Sequence, residues 1–86
     1  MFEVILSPEA RSFFAAADPP LAKKLARCFT QLEHDPHHHN NIKRLTGELA
    51  GRFRFRIGDW RVVYRVDDAT ERVIVLLIAH RREVYD

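Results

Sequence analysis

Five arginines, Arg52, Arg54, Arg56, Arg61 and Arg65, fall within residues 52–65 with no lysine among them. A guanidinium keeps its charge throughout the physiological range and grips phosphate bidentately through its planar fork. From Arg52 to Ile57, and again from Trp60 onward, charged and apolar residues alternate, the period-2 signature of half-buried strands. Gly58-Asp59 between them is a two-residue Gly-X turn of the kind that closes a tight hairpin. That turn pairs Ile57 with Trp60, Arg56 with Arg61, Phe55 with Val62, Arg54 with Val63, Phe53 with Tyr64 and Arg52 with Arg65. Opposed residues share a face. Phe53, Phe55, Ile57, Trp60, Val62 and Tyr64 therefore form one face, and the five arginines with Val63 form the other.

The second face opposes arginine to arginine twice and contains no acid, an arrangement that is destabilising across a sheet. The hairpin has 5 Arg against 1 Asp, a charge of +4, whereas the whole chain is +2, so the remainder is −2. Positive charge concentrated in this way points to a polyanion as partner. A solvated outer face that happens to be basic is the alternative. Lys43 and Arg44, just upstream, are expected to extend the basic surface, and Glu48 reads as a loop carboxylate near it.

Several elements must position this hairpin. The 86 residues make one domain, 1–86, of ordinary globular composition, 47% hydrophobic and 30% charged. No apolar run reaches membrane-spanning length and no signal-peptide pattern opens the chain, so no membrane partner is expected. A single cysteine, Cys28, cannot form an internal disulfide, and a cytoplasmic protein is the natural reading. Phe2 to Leu6 reads as a strand. Ser7-Pro8-Glu9 starts a helix and Asp18-Pro19-Pro20 ends it and caps a second. That helix carries Leu21, Leu25, Cys28, Phe29 and Leu32 on one stripe, which makes Cys28 a core residue. Asp35-Pro36 stops it. His37, His38 and His39 follow in a polar loop; consecutive side chains splay apart and no further ligand cluster completes a site, so no metal or other cofactor is expected.

Arg72 to Ala79 is a continuous β-branched and aliphatic run, read as a central strand buried on both faces. The tail that leaves it, His80 to Asp86, should emerge beside the arginine face with two more arginines, a histidine, a glutamate and a tyrosine. The order β-α-α-β-β-β implies an α+β domain, with a two-helix hairpin on one face of a small, mainly antiparallel four-stranded sheet. The other face, bearing the arginines, is expected to be exposed.

Leu45-Thr46-Gly47, then Gly51 through Tyr64, then Ala79-His80-Arg81-Arg82-Glu83-Val84-Tyr85, together resemble the RelE/ParE superfamily of bacterial and archaeal toxins. The resemblance covers essentially the whole chain. It implies a toxin of a type II toxin–antitoxin system. RelE-type members are ribosome-dependent endoribonucleases that cut messenger RNA, whereas ParE-type members share the fold, poison DNA gyrase and lack the nuclease residues. The RelE-type site maps position by position onto Arg52, Arg54, Arg61, Arg81 and Tyr85, which favours that branch. The best-known RelE proteins have lysines where this chain has Arg52 and Arg54; arginine can stabilise charge there but not abstract a proton.

The reaction so implied is attack of a ribose 2′-hydroxyl on its own 3′ phosphate, needing no metal if arginines supply the charge. Arg61 and Arg81 would clamp the scissile phosphate, and Arg52, Arg54 and Arg56, with Arg65, Lys43, Arg44 and His80, would hold flanking RNA. Tyr85 would stack on a base, the cheaper role, or relay a proton, and Tyr85 or His80 would be the general base. The implied partners are a cognate antitoxin, the ribosome and its message, and operator DNA only through the antitoxin complex. A gyrase inhibitor on the same fold and a non-catalytic nucleic-acid-binding module are the competing readings.

Overall fold

The computed structural model describes residues 1–84. Strand β1 (Glu3–Leu6) passes directly into helix α1 (Pro8–Ala16). Ser7 makes the transition sharp. Its Oγ accepts from the Ala10 N–H at 3.1 Å and donates to the Leu76 carbonyl at 2.9 Å, so the helix cap is also a tie to the sheet. Asp18 then caps α2 (Pro19–His34), accepting from the Leu21 N–H at 3.0 Å, with Pro19 where a missing N–H costs nothing. Both helix starts lie where the capping residues indicated. Leu25, Cys28 and Leu32 are buried, Leu21 and Phe29 half-buried, and Lys23, Lys24 and Arg27 exposed. Burial pushes the Cys28 thiol up to about 12, as befits a core side chain.

The sheet has five strands: β1, β2 (Ile42–Arg44), β3 (Phe53–Ile57), β4 (Trp60–Asp67) and β5 (Arg72–His80), in the order β1-β5-β4-β3-β2. β1 runs parallel to β5, and the other neighbours are antiparallel. The α+β architecture with both helices on one face is as expected, but the strand count is five, not four. β2 has only three residues, too few for any periodicity to register, and exists through its pairing with β3.

The β3–β4 hairpin has the expected register from Phe53↔Tyr64 to Ile57↔Trp60. Gly58 has φ +56° while Asp59 does not enter the positive-φ region, the pattern of a type II′ turn that favours glycine at its first central position. β5 is central, as read, but is not buried on both faces: Val73, Val75 and Ile78 are buried, whereas Ile74, Leu76 and Leu77 are half-exposed. Its register against β4 slips between Val63↔Leu77 and Tyr64↔Val75, leaving Leu76 as the extra residue of a bulge. The Leu76 carbonyl is the one that accepts from Ser7.

The main core lies between helices and sheet, with Phe53, Phe55, Val62 and Tyr64 from the hairpin packed against Leu25, Cys28 and Leu32. Tyr64 is fully buried and donates to the Pro36 carbonyl at 2.7 Å, tying the central sheet to the loop after α2. That loop is shaped by Asp35, whose carboxylate accepts from the backbone N–H groups of His37 and His38. A second, smaller cluster, Leu45, Val63, Ala79 and Val84 flanked by Leu49 and Leu77, lies on the opposite face. The face expected to be exposed is therefore partly covered, by the β2–β3 loop and by the chain after β5.

Two outcomes follow from these contacts. Tyr64→Phe removes the hydroxyl and leaves the buried Pro36 carbonyl without its donor, so urea unfolding should show a loss of about 1–2 kcal/mol. The His37 N–H, foremost, and the His38 contacts hold the Asp35 carboxyl below its ordinary range. Its contribution is thus complete above the ordinary aspartate range and is lost as pH falls through the depressed folded value. Urea midpoints measured down the acid limb should fall less steeply in Asp35→Asn than in the parent.

Candidate nucleic-acid interface

The ladder registers fix which side chains share the face turned away from the helices. Lys43, Arg54, Val63 and Leu77 form one rank across β2, β3, β4 and β5. Arg56, Arg61 and Ala79 form the rank nearer the Gly58-Asp59 turn, and Arg65 with Ile74 lies toward the other end. Cations thus occupy the β2–β4 side of this face, and apolar side chains the β5 side. Arg52 and Arg65 do not oppose each other in the ladder, which ends at Phe53↔Tyr64. Arg52 instead donates its N–H to the Leu49 carbonyl at 3.1 Å and accepts from the Leu45 N–H at 2.9 Å.

The one remaining pair of opposed arginines is accommodated by sending the two guanidiniums to different environments. Arg61 is 9% exposed, and its Nη1 donates to the carbonyls of Gly58 at 2.9 Å and Trp60 at 3.0 Å. Arg56 is exposed. Arg61 is therefore part of the fabric of the turn. Arg54, half-buried, donates to the Asn41 carbonyl at 2.7 Å and fastens the α2–β2 loop to the same face.

The chain after β5 returns to this face. A short 3-10 turn, Arg81–Glu83, begins with the Arg81 N–H donating to the Asp59 carbonyl at 2.8 Å. The Arg81 Nε lies 3.7 Å from Asp59 Oδ1, both side chains being more than half exposed. Val84 is then buried with Val63, Ala79 and Leu45. Arg56, Arg61 and Arg81 consequently lie toward the Gly58-Asp59 end of the hairpin, with Lys43, Arg54 and Arg65 distributed along the face behind them and Arg52 beyond the end of the ladder. Tyr85 lies outside the described residues.

Two candidate residues are placed elsewhere. Arg44 pairs with Phe53 and so sits on the helix side of the sheet, its guanidinium carbon 5.7 Å from the Phe53 ring centroid. There it lines a cavity of about 490 Å³ with His37, Arg52 and Asp68. Of the two upstream residues only Lys43 extends the arginine face. His80 pairs with Trp60, again on the helix side, with the two rings 5.5 Å apart. Its Nδ1 accepts from the Arg82 N–H at 3.3 Å, which places the proton of a neutral ring on Nε2. In the histidine loop, His37 meets Asp68 at 2.9 Å and His38 meets Asp35 at 3.0 Å, so the adjacent rings serve different carboxylates.

Two residues of this site were not singled out from sequence. Val84 anchors the tail, and Asp59 receives it. The available signals were slight: Val63 stands alone among charged neighbours, which asks for an apolar partner, and Asp59 is the sole acid in residues 52–65.

The family model described as ParE toxin of the type II toxin–antitoxin system parDE matches residues 4–85. Toxin RelG of Mycobacterium tuberculosis is 44% identical over 43 residues, which is 50% of this chain and 49% of RelG. The match thus spans about half the length of that curated relative. A chain in the toxin–antitoxin complex RelBE2 of Mycobacterium tuberculosis superposes with a TM-score of 0.78 at 32% identity, covering 93% of this chain and 98% of that one. The archaeal RelE–RelB complex of Pyrococcus horikoshii gives 0.82 at 19% identity over 96% and 98% of the two chains, a likeness of fold. Among the described residues no helix is long and apolar enough to cross a membrane. With its helix pair, its arginine-bearing hairpin and a match running nearly end to end, the chain belongs to the ParE toxin family of type II toxin–antitoxin systems, within the RelE/ParE superfamily.

Proposed function

We propose that this protein is a toxin that cleaves ribosome-bound messenger RNA by attack of a ribose 2′-hydroxyl on the adjacent phosphate. The observation that carries the reading is the tie between Arg81 and the turn of the arginine hairpin, which collects Arg56, Arg61 and Arg81 at one edge of an otherwise cationic face. The pentacoordinate phosphorane carries more charge than the ground-state diester, and fixed guanidiniums stabilise that difference without reorganising. Arg81 is exposed and takes the direct contact. Arg61, almost buried beneath the same turn, adds charge where screening is weak. Arg52, Arg54, Arg56, Arg65 and Lys43 hold the flanking backbone.

No arginine can take the 2′-hydroxyl proton. His80 faces the helix side, so the base in this reading is Tyr85, the residue after the Val84 anchor in sequence; a phenol brought beside guanidiniums would be more acidic than a free one. A cognate antitoxin is the expected partner, as the solved relatives include RelB-bound toxins. An acidic amphipathic peptide that orders on binding suits a face with cations on one side and half-exposed Ile74 and Leu77 on the other.

Gyrase inhibition is the second reading, favoured by the family model being that of the ParE toxins. Brief induction separates the two: primer extension should reveal cuts in codon register on translated messages, whereas linearised DNA with gyrase and intact messages would replace this reading by the second. Arg81→Ala should lower cleavage by about a hundred- to a thousandfold, leaving a residual rate, and relieve growth arrest with an unchanged melting profile. Arg61→Ala should do the same, but with a loss of about 1–3 kcal/mol, because two turn carbonyls lose a charged donor. Tyr85→Phe should slow cleavage by about a hundredfold or more, while His80→Ala stays within a few-fold of the parent. The reverse order for Tyr85 and His80 would remove the phenol from its role.

A further inference from the structure

Asp59 is a carboxylate in the turn at one end of a face otherwise suited to anions, and the proposed reaction gives it no task. The turn does not require it either, since a type II′ turn specifies glycine at the first central position and leaves the second open. Among the described residues it is tied to Arg81 twice: its carbonyl accepts the Arg81 N–H at 2.8 Å, and its carboxylate lies 3.7 Å from the Arg81 Nε. The carbonyls flanking it, Gly58 and Trp60, are those that hold Arg61. Both arginines are thus referenced to the same few residues of backbone.

We propose that Asp59 is a positioning residue for Arg81, its carboxylate setting the direction in which that guanidinium is presented to RNA. This deepens the cleavage reading and rests on it. Among the described residues the carboxylate meets Nε, leaving the Nη1–Nη2 edge to engage a phosphate with two donors. The pair is solvent-exposed and longer than a hydrogen bond, so it orients Arg81 weakly and does not compete with a dianionic transition state. Orientation matters disproportionately at a reacting centre, where a small misplacement is felt in rate before it is felt in binding.

A merely structural Asp59 and a positioning Asp59 differ in how kcat and KM respond. Asp59→Asn keeps the side-chain shape and removes the charge. Removing an acid from a cationic face strengthens RNA binding, so KM should stay level or fall, while kcat drops about three- to fivefold. Asp59→Glu keeps a carboxylate within reach of Nε and should recover most of kcat. In an Arg81→Ala background, with residual cleavage followed in single turnovers, Asp59→Asn should have no further effect. Unchanged kcat in Asp59→Asn beside a strongly impaired Arg81→Ala would overturn this inference and leave the cleavage reading standing. The same fall in the Arg81→Ala background would also overturn it, since the effect would then bypass Arg81. Full activity in Arg81→Ala would overturn both.

Discussion

The constraint that shapes this molecule is that several guanidiniums, none able to lose its charge, share one face of a small sheet. A face of that kind repels itself. The structure answers by distributing the load. Arg61 is drawn under the turn onto two backbone carbonyls, Arg54 is spent partly on the Asn41 carbonyl, and Arg52 leaves the ladder before it can meet Arg65. Arg56 remains in water. For Arg54 and Arg61 backbone oxygen serves as a counter-dipole, which leaves the charge of the face in place. A face relieved by carboxylates would be more stable and would no longer attract a polyanion.

The second cluster of apolar side chains gives this charged face its shape. Val63 is the apolar residue of the hairpin's cationic side, and it is buried against Leu45 from the β2–β3 loop and Val84 from the tail. Among the described residues, the chain beyond His80 is tied to the rest of the fold at a polar place, the bonds to Asp59 at the turn, and at an apolar one, Val84, nearer the middle of the sheet. Arg81 lies between a hydrogen bond on its own N–H and the buried Val84 three residues on. Small hydrophobic contacts here serve placement more than stability, because the main core on the helix side already contains the larger side chains.

The sequence was legible where local chemistry decides the outcome. Ser7-Pro8 and Asp18-Pro19 announce helix starts, and Gly58-Asp59 between alternating runs fixes a register that the ladder reproduces residue for residue over Phe53–Ile57. It was illegible where the outcome depends on a partner strand. β2 is too short to have a period. The side taken by Arg44 follows from its pairing with Phe53, and that of His80 from its pairing with Trp60 at the end of a uniformly apolar strand interrupted by a bulge. A run such as Arg72 to Ala79 carries no alternation from which either face can be read. The burial of Arg61 had no local signal at all, because arginines at 52, 54, 56, 61 and 65 look alike until the turn's carbonyls are in place.

The central claim is that this cationic face and the tail bound to it form a cradle in which a phosphodiester is broken by its own 2′-hydroxyl. Ribosomes programmed with a message bearing a single 2′-deoxynucleotide at the cut position test it most directly. Incubated with the protein, the all-ribose message should yield a 2′,3′-cyclic phosphate at that position, and the deoxy message should remain intact there while still being bound. Equal cleavage of both messages would contradict the account, because the nucleophile would then have to come from somewhere other than the substrate.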